Sequence, residues 1–182
     1  MPSIKYIEVE YFIQQSPFDD KIFKVFVETG THYGNTVINM SKSFNEIHTI
    51  ELSESFYLRA KNKFINDKNI NLYLGDSSQV LPEIIKKIHN RTIFFLDGHY
   101  SSGDTAQGDK DCPLIEELKS IYDYFLYESI IIIDDFRLFG TNLNEDWTDI
   151  TEEKVISTLK DRVIQKVIKD DRLVIYLGSK IF

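Results

Sequence analysis

Val27-Glu28-Thr29-Gly30-Thr31-His32-Tyr33-Gly34-Asn35-Thr36 follows the apolar run Ile22-Phe23-Lys24-Val25-Phe26-Val27 and precedes a helix-like segment. A strand, a tight glycine turn and a helix start are how α/β proteins hold a nucleotide-like ligand. The acid at the strand end changes which ligand. A carboxylate where a phosphate loop wants glycine repels a pyrophosphate and suits a cationic or hydroxyl-bearing ligand. That points to S-adenosylmethionine (SAM) rather than NAD. A dinucleotide fingerprint would want glycine at positions 28, 30 and 33, and the chain has Glu28, Gly30 and Tyr33.

Outward from this stretch, apolar strand-like runs alternate with helix-like segments. Strands are expected at 23–28, 46–51, 70–74, 92–97, 129–134, 162–168 and 172–177, and helices at 35–43, 53–65, 78–89, 113–124 and 149–159. In 113–124, Leu114, Ile115, Leu118, Ile121 and Tyr122 recur at helical spacing, with Pro113 in the first turn. Such alternation implies a parallel sheet with helices on both faces. Only Lys169, Asp170 and Asp171 separate the last two strands, so these form an antiparallel hairpin at one edge. The expected fold is α/β and Rossmann-like: a seven-stranded, mostly parallel sheet with a C-terminal antiparallel hairpin. Residues 1–182 read as one domain, with 1–21 a helical extension carrying Tyr6, Val9, Phe12 and Ile13 on one face.

Composition sets outer bounds. The 182 residues are 42% hydrophobic and 27% charged, ordinary for a globular domain. A net charge of −8 with no basic stripe argues against a nucleic-acid partner. No apolar run is long enough to span a bilayer. The first residues lack a signal-peptide core, so a cytoplasmic location is expected. Cys112 is the only cysteine and has no intrachain partner.

In an open parallel sheet, ligands bind outside the carboxyl ends of the strands. The residues expected there are Glu28, Glu51, Asp76, Asp97, Asp134 and Asp135, all acidic. One such acid is unremarkable; acids at five consecutive strand ends are hard to ascribe to chance.

These residues resemble the class I SAM-dependent methyltransferases over nearly the whole chain. Glu28-Thr29-Gly30-Thr31-His32-Tyr33-Gly34 is similar to their first motif, acid-x-Gly-x-x-x-Gly. His32 stands where the common form has a further glycine, a variant seen in metal-dependent O-methyltransferases of the catechol type. The resemblance implies that Glu28, Gly30, Tyr33, Gly34, Asn35 and Thr36 line the cofactor. It implies that Glu51 accepts from the ribose hydroxyls, that Asp76 with Ser77 meets the adenine amino group, and that Asp97 also lines the cofactor. Phe95-Leu96-Asp97-Gly98-His99-Tyr100 and Ile132-Ile133-Asp134-Asp135-Phe136 resemble the metal motifs of the macrocin O-methyltransferase family, whose relatives methylate sugar hydroxyls. By that resemblance Asp97, Asp134 and Asp135 would hold one Mg²⁺ (or Mn²⁺).

Methyl transfer to a hydroxyl needs a positioned sulfonium, an aligned oxygen and a way to remove its proton. A hard divalent cation on the hydroxyl lowers its pKa and fixes its position. Three carboxylates would leave room on an octahedral ion for a vicinal diol. His99 follows Asp97 by two, so in an extended segment it faces the same side and is the expected general base.

Blander readings stand beside these. Glu28 would cap a turn, Glu51 and Asp76 would be exposed strand ends, and Asp134-Asp135 a solvated turn. His48, inside a strand, reads as packed. Trp147 and Phe136 either cover a substrate or pack on the body. Lys110 reads as solvated. The leading expectation is a Mg²⁺-dependent O-methyltransferase acting on a sugar or glycan hydroxyl, with no nucleic-acid or membrane partner. Alternatives are a catechol-type phenol methyltransferase and a non-catalytic SAM- or glycan-binding subunit. The N-terminal helix, with Tyr11 and Phe12, is a candidate contact for a homodimer.

Overall fold

In the structure, a computed structural model describing residues 3–98, 112–143 and 145–180, seven strands form one sheet in the order β3-β2-β1-β4-β5-β7-β6. The strands are β1 (Val25–Thr29), β2 (Glu46–Glu51), β3 (Ile70–Leu74), β4 (Thr92–Leu96), β5 (Ser129–Ile133), β6 (Val163–Lys169) and β7 (Arg172–Leu177). β1 to β5 pair in parallel; β7 runs antiparallel to both β5 and β6. This is the expected architecture. The order of strands in the sheet reverses between β1 and β4, which places a crevice at their carboxyl ends.

The inner strands β1, β4, β5 and β7 are buried along their length because both faces are covered, whereas β3 and β6 at the sheet edges are partly exposed. On one face Val25, Val27, Phe94, Leu96, Ile131 and Ile133 meet α4 (Ser77–Ile85), α5 (Leu114–Tyr124) and α6 (Glu152–Leu159). On the other, Phe26, Ile93, Phe95, Ile130 and Ile132 meet α1 (Tyr6–Gln15), α2 (Asn35–Met40) and α3 (Glu54–Lys63). Alternate residues of one strand serve alternate faces, as the pleat requires. α1 buries Val9, Phe12 and Ile13 as expected. Phe12 is therefore interior, its carbonyl accepting from the Tyr176 hydroxyl at 3.1 Å; of the expected dimer pair only Tyr11 is exposed.

Several boundaries differ from the sequence reading for visible reasons. α6 starts at Glu152, not 149, because the Thr151 side chain accepts from Lys154 N and caps it. α4 ends at Ile85, ahead of 89. The hairpin turn is only Asp170-Asp171, both at positive φ, which matches the twist of the flanking strands. β6 begins one residue late because Arg162 turns inward. It is 5% exposed and donates to the carbonyls of Phe125 at 2.7 Å and Gly178 at 2.8 Å. Among the described residues no helix is long and apolar enough to cross a membrane.

Candidate active site

The glycine turn after β1 is shaped by a close approach. Gly30 has φ +86°, and a Cβ there would lie 2.6 Å from the carbonyl oxygen of Asp97, at the end of β4. Only glycine lets the two strand ends come this near. Gly34, at φ +69°, opens α2, and a Cβ there would strike the Phe64 ring at 2.7 Å. Asn35 and Thr36 form the first turn of α2; Thr36 is buried and Asn35 exposed.

Glu51 holds this turn. One carboxylate oxygen accepts from His32 N at 2.7 Å and the other from Ser53 N at 2.8 Å. The residue expected on the ribose thus also fixes the loop between β1 and α2. His32, at φ 47°, and Tyr33 pack against Phe56, with ring centroids 4.6 and 5.3 Å away. Tyr33 remains 41% exposed, and the Arg59 guanidinium lies 5.0 Å from its ring centroid.

Glu28 is buried, and its Oε2 has no hydrogen-bond partner among the described residues. Burial raises its carboxyl well above the usual range, and the Asp97 charge adds to this. An uncompensated buried carboxylate oxygen is costly and suits a site completed by a ligand or a proton.

Asp76 caps α4, its Oδ1 accepting from Ser78 N at 2.8 Å and from Ser78 Oγ at 2.6 Å. The Ser77 hydroxyl turns inward and donates to Glu117 Oε1 at 2.5 Å. Of this expected pair, Asp76 has a structural job already and Ser77 faces the interior.

Asp97, Asp134 and Asp135 gather at the ends of β4 and β5. Burial raises the Asp97 carboxyl well above its ordinary range, and the charges of Asp134 and Asp135 add to it. Asp134 is raised mainly by burial, while Arg172 opposes the shift. Arg172 Nε donates to Asp134 Oδ1 at 3.2 Å. Asp135 takes a left-handed conformation, φ 57°, and its Oδ1 accepts from Arg137.

The fit to a metal can be judged from these contacts. Among the described residues, no group of three or more His, Cys, Asp or Glu is placed to hold a metal ion. The three expected ligands are neighbours, but Arg172 and Arg137 already take an oxygen of Asp134 and of Asp135. As arranged, they do not make a ligand set.

His99, the expected base, and Lys110 lie outside the described residues. His48 is packed as expected, Nδ1 lying 3.0 Å from the Tyr73 hydroxyl. Trp147 is 2% exposed and stacks near Phe139, so it belongs to the core and not to a substrate cover.

Two residues of the site escaped the sequence reading. Glu117 is 1% exposed beneath the strand ends. It occupies the apolar stripe of α5 with Leu114, Leu118 and Ile121, and an acid at such a position is the signal that would have found it. Arg172 sits beside the hairpin turn, where a lysine or arginine reads as solvated; nothing local marks it.

No family profile matches the chain. No curated protein matches it. Solved structures do. A Streptococcus thermophilus rRNA methylase is 15% identical with a TM-score of 0.58, over 98% of each chain. A SAM-dependent methyltransferase from Clostridium acetobutylicum is 14% identical with a TM-score of 0.55, over 97% of this chain and 93% of that one. A proposed methyltransferase from Streptococcus mutans, in complex with SAH, is 13% identical with a TM-score of 0.57, over 98% and 99%. The fold is therefore the class I methyltransferase fold, including its antiparallel C-terminal hairpin.

Proposed function

We propose that the chain is a SAM-dependent O-methyltransferase whose acceptor is a sugar hydroxyl, free, nucleotide-linked or within a glycan. The observation that carries this reading is the acidic crevice around Gly30. Glu28, buried with an oxygen unpartnered among the described residues, and Glu51, fastened to the glycine turn, would suit a cationic cofactor with ribose hydroxyls. A negative charge on Glu51 would repel a pyrophosphate there. The SAM- and SAH-linked structures of the same fold support the cofactor. The net charge of −8 disfavours RNA as acceptor, although one structural relative is an rRNA methylase.

In the reaction, the acceptor oxygen attacks the sulfonium methyl carbon. Bound SAM would supply this electrophilic methyl, the electron pair of the broken carbon–sulfur bond passing to sulfur to give the neutral thioether SAH. The hydroxyl proton needs a base, and His99 is assigned that role. Tyr33, Asn35 and Thr36 belong to the cofactor contact in this reading, with Gly34 giving the backbone room. The divalent cation, Mg²⁺ or Mn²⁺, rests on donor type alone: Asp97, Asp134 and Asp135 offer the oxygens that hard cations take. Arg172 and Arg137 would first have to give way, so no step is routed through a metal. A cytoplasmic site of action belongs to the same reading.

The test is calorimetric titration of SAM, followed by transfer of a labelled methyl group to a panel of free sugars, nucleotide-sugars, catechols and RNA. Saturable SAM binding and label on a sugar are expected. Label on catechol alone would move the acceptor to a phenol, and no SAM binding would sink the reading. Transfer lost with EDTA and restored by Mg²⁺ would support the cation; transfer unchanged by EDTA would remove it from the reading.

A further inference from the structure

Three chain segments of the cofactor crevice meet at one buried side chain. Glu117 Oε1 accepts from Ser77 Oγ at 2.5 Å, which ties α5 to the start of α4 just after β3. The same Oε1 lies 3.4 Å from where a Cβ on Gly98 would stand, at the turn after β4. Thr29 at the end of β1 is only 2.9 Å from the same position. There is no room between these groups for a side chain, and water would have to force them apart. Glu117 itself is 1% exposed.

We propose that Glu117 is a positioning residue for the cofactor site, keeping the segments after β1, β3 and β4 in register for SAM. This rests on the SAM reading given above. The physical reason is the cost of a buried charge. The Ser77 and Thr29 hydroxyls favour the ionised carboxyl, but burial away from water outweighs them. Among the described residues, the ionisable groups around it are Asp76 before α4, Glu116 on its own helix and the Cys112 thiol ahead of α5. Both carboxylates disfavour its charge. Burial is the main cause, and the carboxyl is pushed up to about 7, where ordinary cellular pH changes act on it. Ionisation would draw water between Ser77, Gly98 and Thr29 and spread the segments that must close on the cofactor.

The experiment is SAM affinity by calorimetry from pH 5.5 to 9 for the whole protein and for Glu117→Gln. Wild-type affinity is expected to fall about tenfold or more across neutrality, beyond the drift that SAM's own amino group and the other acids produce. Glu117→Gln, which keeps an acceptor oxygen for Ser77 and cannot ionise, should match wild type at low pH and retain its affinity at high pH. Identical pH profiles for the two proteins would overturn the proposal while leaving the cofactor reading intact. Absence of SAM binding at every pH would overturn the cofactor reading and this inference with it. If Glu117→Gln does not fold, the Glu117 carboxyl is followed in ¹³C-labelled wild type. SAM must then raise its titration midpoint, and an unmoved midpoint rejects the proposal.

Discussion

Glu8 on α1 and Arg172 at the start of β7 meet at 2.6 Å across 164 residues of sequence. The same guanidinium reaches Asp134 at 3.2 Å, so the N-terminal helix is fastened through one side chain to the end of β5. The helical extension is thereby part of the site's frame and not an appendage. Arg172 is 5% exposed between two carboxylates that it alone joins in these contacts. Removing one member of a buried charge group strands the others. Arg172→Met should lower unfolding stability by about 3 kcal/mol in urea. Glu8→Gln, at the more exposed end, should cost about 1 kcal/mol. Equal stability of Arg172→Met and wild type would show that the linkage carries no load.

Gly30→Ala tests the close approach of β1 and β4. The new methyl would meet the Asp97 carbonyl oxygen at 2.6 Å and stand at a φ of +86°. Strain of this kind costs about 1–3 kcal/mol before any clash is counted. The variant should lose SAM binding in calorimetry and melt several degrees lower. Full affinity for SAM would mean that the turn is not where the cofactor sits.

Glu51→Gln separates loop support from ligand binding. Both carboxylate oxygens accept backbone N–H groups, and an amide nitrogen cannot accept. One of the two contacts must therefore be lost. SAM affinity is expected to drop about 10- to 100-fold, since a hydrogen bond to a charged group is worth about 1.5–3 kcal/mol. An unchanged dissociation constant would remove Glu51 from the site.

Stability should also report Glu117 directly. Its folded carboxyl titrates near 7 against an ordinary value of 4.5, so the folded state binds the proton more tightly than the unfolded chain. The native state is therefore favoured at low pH and loses this advantage as pH rises from about 4.5 to about 7, with no further change above. At about 1.4 kcal/mol per pKa unit, the loss is on the order of 3 kcal/mol. Glu117→Gln should gain on wild type across that window in denaturant unfolding at a series of pH values. Parallel stability curves would place the Glu117 titration elsewhere.

The two-fold-alternating apolar strands, the spacing of Leu114, Leu118 and Ile121, and the short Lys169-Asp170-Asp171 link are local facts. Period and turn chemistry are written in neighbouring residues, so the sequence alone determined the seven strands, their mostly parallel pairing and the edge hairpin. It also determined that acids stand at the ends of β1 to β5. Which partner each acid takes depends on residues far off in the chain, and only the tertiary structure decided that. Asp76 spends an oxygen on capping α4, Glu51 on pinning the glycine turn, and Asp134 on Arg172 from β7. Glu117, hidden in a helical stripe, meets the strand-end crevice only because Ser77, Gly98 and Thr29 fold onto it. The physical reason is range: backbone conformation and burial period follow from the adjacent side chains, whereas charge pairing in a low-dielectric interior follows from whatever the fold brings within about 4 Å.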